Sequence, residues 1–315
     1  MSVSVVATDF GGPEVLSVID EPVRAPGPGE VVIDVRAAGV NPIDFKLYSG
    51  YRGKDPSALP MHLGLEVSGV VAAVGDDAKS STGELRLGDE VIAYPVLGGY
   101  ASQVVVAAAN VVPKPSALSF EEAGGLILTG ATAVHAVAVV DVAAGDTLLV
   151  HGASGAVGLT VVQLAVGRGA RVIGTASEGR HALLRELGCE PVTYGDGIVE
   201  RVRAIAPDGV DVVIDTVGGD EATDASLELA NDSDRIVTIV GSERAFDLGF
   251  KVIGNAPGAD PGAEIRAHAR LELVNLVEAG KLRVFVAGTY PLVEAAAAHK
   301  ELMQGHTHGK LLLVP

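Results

Sequence analysis

Residues 146–165, DTLLVHGASGAVGLTVVQLA, decide the fold. A short apolar strand expected over residues 147–150 runs through His151 into Gly152-Ala153-Ser154-Gly155-Ala156-Val157-Gly158, and an apolar helix expected over residues 156–166 follows at once. A strand turning into a helix on three spaced glycines meets the demands of a bound pyrophosphate. These are a tight turn, a backbone free of side chains, and close packing of helix on strand. Gly152, Gly155 and Gly158 stand at those places, and the amides of Ala156 and Val157 open the helix toward an anion. Ser154, Gly155, Ala156 and Val157 are therefore expected to hold the phosphates of a dinucleotide. An ordinary Gly-rich turn would not need this strand before it and this helix after it.

The same alternation continues downstream. Strands are expected over residues 171–175, 192–194, 210–215 and 235–240, with helices over 178–187, 198–205 and 221–229. Apolar strands spaced by helices of about three turns signal a doubly wound parallel sheet, here a Rossmann domain. The tail is read as a helix (264–279), a strand (282–286), an Ala-rich helix (293–303) and a last strand (310–314). Upstream, short strands at 31–36, 66–74, 90–93 and 102–106 are punctuated by Gly and Pro. Residues 111–120 carry two prolines and are expected to cross between domains. A chain of 315 residues exceeds one ordinary core, so two domains are expected.

Composition narrows the function. A formal charge of -17 argues against nucleic acid and anionic membranes as partners, because phosphate affinity needs clustered Lys and Arg. An anionic cofactor must then be gripped by local donors. The single cysteine, Cys189, excludes an intrachain disulfide and a Cys-cluster zinc lobe. MSVSVVATDF does not read as a signal peptide, and the apolar run at 131–140 is too short to span a bilayer. Cytoplasm is the expected location.

The second strand of the Rossmann unit decides between nucleotides. An NAD site usually ends that strand on an acid that takes the ribose 2′-hydroxyl. Here it ends on Ala176-Ser177, with Arg180 placed to meet a 2′-phosphate through a charged fork. NADP(H) is the expected cofactor. Glu178 leaves two readings open: it faces outward, or it takes the ribose and favours NAD.

These residues belong to a longer pattern. GGPEVL (11–16), GVNPIDFKLYSG (39–50), GLEVSGVVAAVG (64–75), LGDEVIAY (87–94), GGYASQVVV (98–106), VPKPSALSFEEAGGLILTGATA, HGASGAVG, GVDVVIDTVGG and HGKLLLVP run in order over essentially the whole chain. In this the sequence resembles the medium-chain dehydrogenase/reductase superfamily and, within it, the zinc-independent quinone oxidoreductases. The resemblance implies a mainly β, GroES-like catalytic domain from residues 1–115 and 260–315, with the Rossmann domain, 116–259, inserted. It also implies a cleft between them for nicotinamide and substrate. It implies adenosine-phosphate contacts at Ser177, Arg180 and Tyr194, nicotinamide-side contacts at Val217, Val240 and Gly241, and cofactor contacts at Thr132 and Lys310. It further implies a homodimer joined sheet edge to sheet edge, for which residues 251–253 could supply the edge.

The alcohol dehydrogenase branch carries a zinc-binding Cys where this chain has Asn41 and a zinc-binding His where it has Leu65. Catalytic zinc needs three converging protein ligands, so no metal is expected. His306 and His308 are read as a solvated turn, His62 as a loop residue, and His151 as packed at the strand end. Without a metal, hydride from NADPH needs an acceptor that spreads the incoming charge. A quinone or an α,β-unsaturated carbonyl does so, and the protein mainly positions and shields the reactants. Polar candidates cluster at Asn41, Asp44, Lys46, Tyr48 and Tyr51, with Asn41 and Tyr51 expected to touch cofactor or substrate and no general base assigned. Two alternatives stay open: an enoyl-thioester reductase, and a non-catalytic NADPH-binding structural or sensor protein.

Overall fold

In a computed structural model of the chain, residues 1–305 and 307–315 are described. They form two compact units. The first comprises Met1–Leu128, Arg270–Glu278 and Val284–Pro315, and the second comprises Thr129–Ala269 and Ala279–Arg283.

The chain opens with β1 (Ser2–Ala7), β2 (Leu16–Glu21) and β3 (Glu30–Val40), and a short helix, α1 (Pro42–Tyr48), follows β3. Then come β4 (Met61–His62), β5 (Val67–Val74), the small hairpin β6 (Lys79–Ser80) and β7 (Gly83–Glu84), β8 (Glu90–Ala93), β9 (Gln103–Ala107) and β10 (Val111–Pro113). Residues 111–120 do not carry the chain out of this unit. β10 pairs with β8, and the next helix, α2 (Phe120–Gly124), lies on β3 and β5. The chain passes into the second unit at Leu128–Thr129, within α3 (Ile127–Val139).

The second unit alternates β11 (Thr147–His151), α4 (Ala156–Gly167), β12 (Arg171–Thr175), α5 (His181–Glu186), β13 (Cys189–Val192), α6 (Ile198–Arg203), β14 (Val212–Asp215), α7 (Asp220–Leu229), β15 (Ile236–Thr238), α8 (Glu243–Asp247) and β16 (Lys251–Val252). Every pairing is parallel, in the order β13-β12-β11-β14-β15-β16. That is the doubly wound Rossmann order, with β11 at its centre. Leu148, Leu149 and Val150 are fully buried, as an unbroken apolar strand covered on both faces must be.

One strand of this sheet is shifted from its expected place. β13 spans Cys189–Val192 rather than 192–194, because Gly188, at φ +83°, ends the preceding turn and the register with β12 begins immediately at Cys189. Tyr194 therefore lies beyond the strand.

α9 (Ala263–Glu278) returns the chain to the first unit, followed by β17 (Val286–Pro291), α10 (Ala295–Met303) and β18 (Lys310–Val314). The strand expected over 282–286 forms at β17 instead. The Arg283 amide donates to the Gln163 side chain (2.8 Å) rather than to a strand neighbour, so the ladder with β18 starts only at Val286. The main sheet runs β10-β8-β5-β3-β18-β17 with β9 also on β3, and β1, β2 and β4 form a smaller one. Among the described residues no helix is long and apolar enough to cross a membrane.

Candidate functional site

The phosphate loop of the second unit follows from its glycines. Gly152 has φ +74°, a left-handed turn that a side chain would strain. A Cβ on Gly158 would lie 2.2 Å from the Gly152 carbonyl oxygen, so only glycine lets α4 pack this closely on the end of β11. At Gly155 the only atom of the described residues near an added Cβ is the Gly152 oxygen at 3.4 Å, which leaves the loop's face open. Gly155 is the N-cap of α4 and supplies no side-chain cap, and the first intrahelical bond runs from the Leu159 amide to the Gly155 carbonyl at 2.8 Å. The amides of Ala156 and Val157 thus have no helical acceptor and suit an anion.

Neighbouring strand ends gather the other expected cofactor contacts. Ala176 donates its amide to the Val192 carbonyl (3.0 Å), which sets the turn after β12 beside the one after β13. Ser177 caps a single 3-10 turn, Glu178–Arg180, without using its hydroxyl. Tyr194 is half exposed and Glu178 is exposed. The Arg180 guanidinium has no hydrogen-bond or ion-pair partner among the described residues, whereas Arg171 is paired with Glu190 and Arg235 with Asp146.

At the end of β14 the buried Asp215 carboxylate accepts from the amides of Val217 and Gly218 (2.9 Å each) and from the Thr238 hydroxyl (2.9 Å). These bonds shape the turn that exposes Val217 and set it against Val240, because a Cβ on Gly218 would sit 2.7 Å from Val240 Cγ1. Gly241 follows directly. Ser154, Gly155, Ala156, Val157, Ser177, Arg180, Tyr194, Val217, Val240 and Gly241 therefore share the carboxyl edge of one sheet, where doubly wound folds bind ligands. Thr132 lies on α3 instead, where its hydroxyl accepts from Arg266 (3.2 Å).

The first unit holds a second polar group. Lys310 is buried, and its Nζ donates to Glu66 Oε1 and to Asn41 Oδ1, each at 2.5 Å. Glu66 Oε2 accepts from the Leu128 amide (2.8 Å), and Asn41 Nδ2 donates to the Gly39 carbonyl (3.1 Å). Leaving either charge without its partner would strand an ion in the core, at about 3–5 kcal/mol. Asn41 is the N-cap of α1. Asp44, three residues on, returns its carboxylate to the Asn41 amide (2.8 Å), the reach-back half of a capping box. Burial pushes the Asp44 carboxyl up to about 6, against the pull of Tyr100, the Asn41 amide and Lys310.

Asn41 and Lys310 are thus brought together, but Tyr51 is not with them. It is exposed beyond the far end of α1, with Lys46 Nζ 5.7 Å from its ring centroid, and a seven-residue helix separates it from Asn41 by about 10 Å. Tyr48 is buried rather than available to a ligand.

Of the remaining histidines, His62 is paired with Glu21, and the half of the 306–308 reading that concerns His306 lies outside the described residues. His151 is buried with Nε2 unpartnered among the described residues, and burial holds its pKa down. Burial pushes the Cys189 thiol up to about 12, which makes it inert. Among the described residues no three His, Cys, Asp or Glu side chains are grouped to hold a metal ion.

Three residues here escaped the sequence reading: Glu66, Tyr100 and His299. Glu66 had a local signal, a lone carboxylate heading the apolar run VSGVV, which a buried strand must compensate. His299, in an Ala-rich helix, had a weaker one.

Comparison with known proteins bears on the family and the fold. The alcohol dehydrogenase GroES-like domain family matches residues 27–116, and the zinc-binding dehydrogenase family matches residues 187–313. The quinone oxidoreductase of Mus musculus is 32% identical over 97% of this chain and 96% of its own. A mycobacterial protein solved in complex with NADPH superposes with a TM-score of 0.85 at 30% identity, covering 99% of this chain and 100% of that one. The CurK enoyl reductase superposes with a TM-score of 0.87 at 27% identity, covering 99% of both chains. The first unit is accordingly the GroES-like domain and the second the Rossmann domain inserted in it. The chain belongs to the quinone oxidoreductase family of the medium-chain dehydrogenase/reductase superfamily and is an oxidoreductase.

Proposed function

We propose that this protein is an NADPH-dependent reductase that transfers hydride to a quinone or an α,β-unsaturated carbonyl without a metal. One observation carries the reading: among the described residues Arg180, at the end of β12, has no partner, beside a Ser177 hydroxyl that caps nothing and with no acid on the strand itself. A 2′-phosphate fits a guanidinium placed at this strand end, because the pair is a charge-assisted hydrogen bond. The open face at Gly155 and the unpartnered first-turn amides of α4 fit the pyrophosphate. The NADPH-bound mycobacterial neighbour supports the same choice.

When bound, NADPH supplies the hydride. The protein's own groups bind and orient. Ser154 to Val157 would take the pyrophosphate, Ser177, Arg180 and Tyr194 the adenosine phosphate, and Val217, Val240 and Gly241 the nicotinamide side. Asn41, Lys310 and Tyr51 are assigned to cofactor or acceptor and Thr132 to a supporting contact, with Tyr51 exposed and Asn41 and Lys310 buried beside Glu66. The ammonium of Lys310 is compensated by the Glu66 carboxylate, so its part in this reading is to hold the Asn41 side chain in place. Asn41 and Leu65 stand where the zinc-binding relatives place ligands, which supports a metal-free reading. The same proposal makes the protein a homodimer joined at β16. A second reading, reduction of an enoyl thioester, is favoured by the likeness to the CurK enoyl reductase.

NADPH oxidation measured against a panel of quinones, simple enones and enoyl thioesters tests this, with and without a chelator. Turnover of quinones or enones that survives chelation is expected. Turnover confined to thioesters would transfer the assignment to the second reading, and activity lost with one tightly bound zinc per chain would overturn the metal-free part. NADPH binding without turnover of any acceptor would favour a structural or sensor role.

A further inference from the structure

The polar cluster around Asn41 continues deeper into the GroES-like unit. Asp44 Oδ2 accepts from the Asn41 amide (2.8 Å) and from the Tyr100 hydroxyl (2.9 Å), while Asp44 Oδ1 is buried without a partner among the described residues. Tyr100 has a single proton and gives it to Asp44, so at its 3.0 Å contact with His299 Nε2 it can only accept. That places the imidazole proton on Nε2. His299 Nδ1 must then accept from the Tyr48 hydroxyl, 2.8 Å away.

The order is one-way: Tyr48 to His299, His299 to Tyr100, Tyr100 to Asp44. All four side chains are at most 1% exposed. The Tyr48 and His299 rings stack with centroids 5.6 Å apart, and Tyr100 meets the imidazole edge-on at the same distance. Burial holds His299 down at about 4, so the ring is neutral near pH 7, as this order requires.

A core needs no such chain for stability alone, since apolar residues of similar volume serve as well as buried polar ones. What the chain does is select one carboxylate oxygen. With Oδ1 unpartnered, Asp44 could rotate and present either oxygen to the Asn41 amide, and the Tyr100 hydroxyl removes that freedom. We infer that His299 and Tyr100 are positioning residues: they orient the Asp44 carboxylate, which fixes the turn from which Asn41 Oδ1 meets Lys310 Nζ. The functional weight of this inference rests on the proposed reading, in which Asn41 touches cofactor or acceptor.

The test combines steady-state kinetics with NADPH and a simple 1,4-quinone and amide hydrogen exchange on the full chain. Tyr100→Phe and His299→Phe should each lower kcat about tenfold, the effect of one hydrogen bond, with little change in KM for NADPH. His299→Gln, whose amide can donate to Tyr100, should recover part of the loss. In an Asn41→Ala background neither phenylalanine should lower kcat further, because the positioned group is gone. Losses that multiply in that background, or single variants with unchanged kcat, would overturn the inference. Exchange provides an arm independent of activity. Acceleration in Tyr100→Phe confined to residues 41–48 supports positioning, and equal acceleration through β3 and β5 refutes it. If the wild type neither binds nor oxidises NADPH, the functional reading fails, and exchange alone decides whether the chain orders the turn.

Discussion

At the end of β12, cofactor preference comes down to a few atoms. NADP and NAD differ only by the 2′-phosphate, and Arg180 is a cation with no internal partner among the described residues. A charge-assisted hydrogen bond contributes roughly 1.5–3 kcal/mol, and partial exposure at Arg180 places it at the lower end. Arg180→Ala should therefore weaken NADPH binding on the order of tenfold and leave NADH nearly unchanged. Glu178 is exposed on the same turn, so Glu178→Ala should leave NADPH binding unaltered or improve it. Titrating both cofactors against the wild type and the two variants measures this. Equal loss of NADH and NADPH in Arg180→Ala would assign the residue to the fold instead.

Where α1 and α10 meet, two buried groups titrate in opposite senses. Burial lowers His299 from 6.5 to about 4, so as pH falls through this window the unfolded chain takes a proton that the folded chain refuses, and stability is lost. Burial raises Asp44 from 3.8 to about 6, so over nearly the same window the folded chain takes the proton first, and stability is gained. Each effect is on the order of 3 kcal/mol, and together they nearly cancel. Removing one should expose the other. Between pH 6 and pH 4, His299→Gln should gain stability relative to the wild type, and Asp44→Asn should lose it. Urea unfolding at several pH values reads the slopes. Parallel pH profiles for all three proteins would mean that neither group titrates with folding.

For the whole molecule, the six-stranded parallel sheet ends at β16, a strand of two residues whose outer side carries a single bridge to Asp260, whose amide donates to the Val252 carbonyl (2.8 Å) and whose carbonyl accepts from the Gly254 amide (2.8 Å). A sheet edge covered by only one such bridge can still pair with another chain, and two copies related by a twofold axis would join into one continuous sheet where the Asp260 bridge gives way. Sedimentation at micromolar concentration should show a dimer. A monomer there would refute the edge-to-edge assembly.

The Rossmann unit was legible because its demands are local. A strand, three glycines and a helix occur within twenty residues, and each glycine answers to an atom close by in the chain, as Gly158 does to the Gly152 carbonyl. The acid-free end of β12 and the apolar β14 and β15 could be read the same way. Elements whose hydrogen bonds are decided elsewhere were less legible: β17 starts late because Gln163 takes the Arg283 amide, and β13 starts early because β12 sets its register. The polar cluster of the GroES-like unit lay beyond local reading altogether. Lys310 meets Asn41 across 269 positions and Glu66 across 244, and Tyr48 meets His299 across 251. Sequence identified Asn41, Tyr51 and Lys310 as candidate polar contacts through the family pattern. Only the tertiary structure separated Tyr51 from the other two and joined those two, directly and through Glu66. A charge in a core is tolerated only where a partner reaches it, and that partner is supplied by folding, not by spacing along the chain.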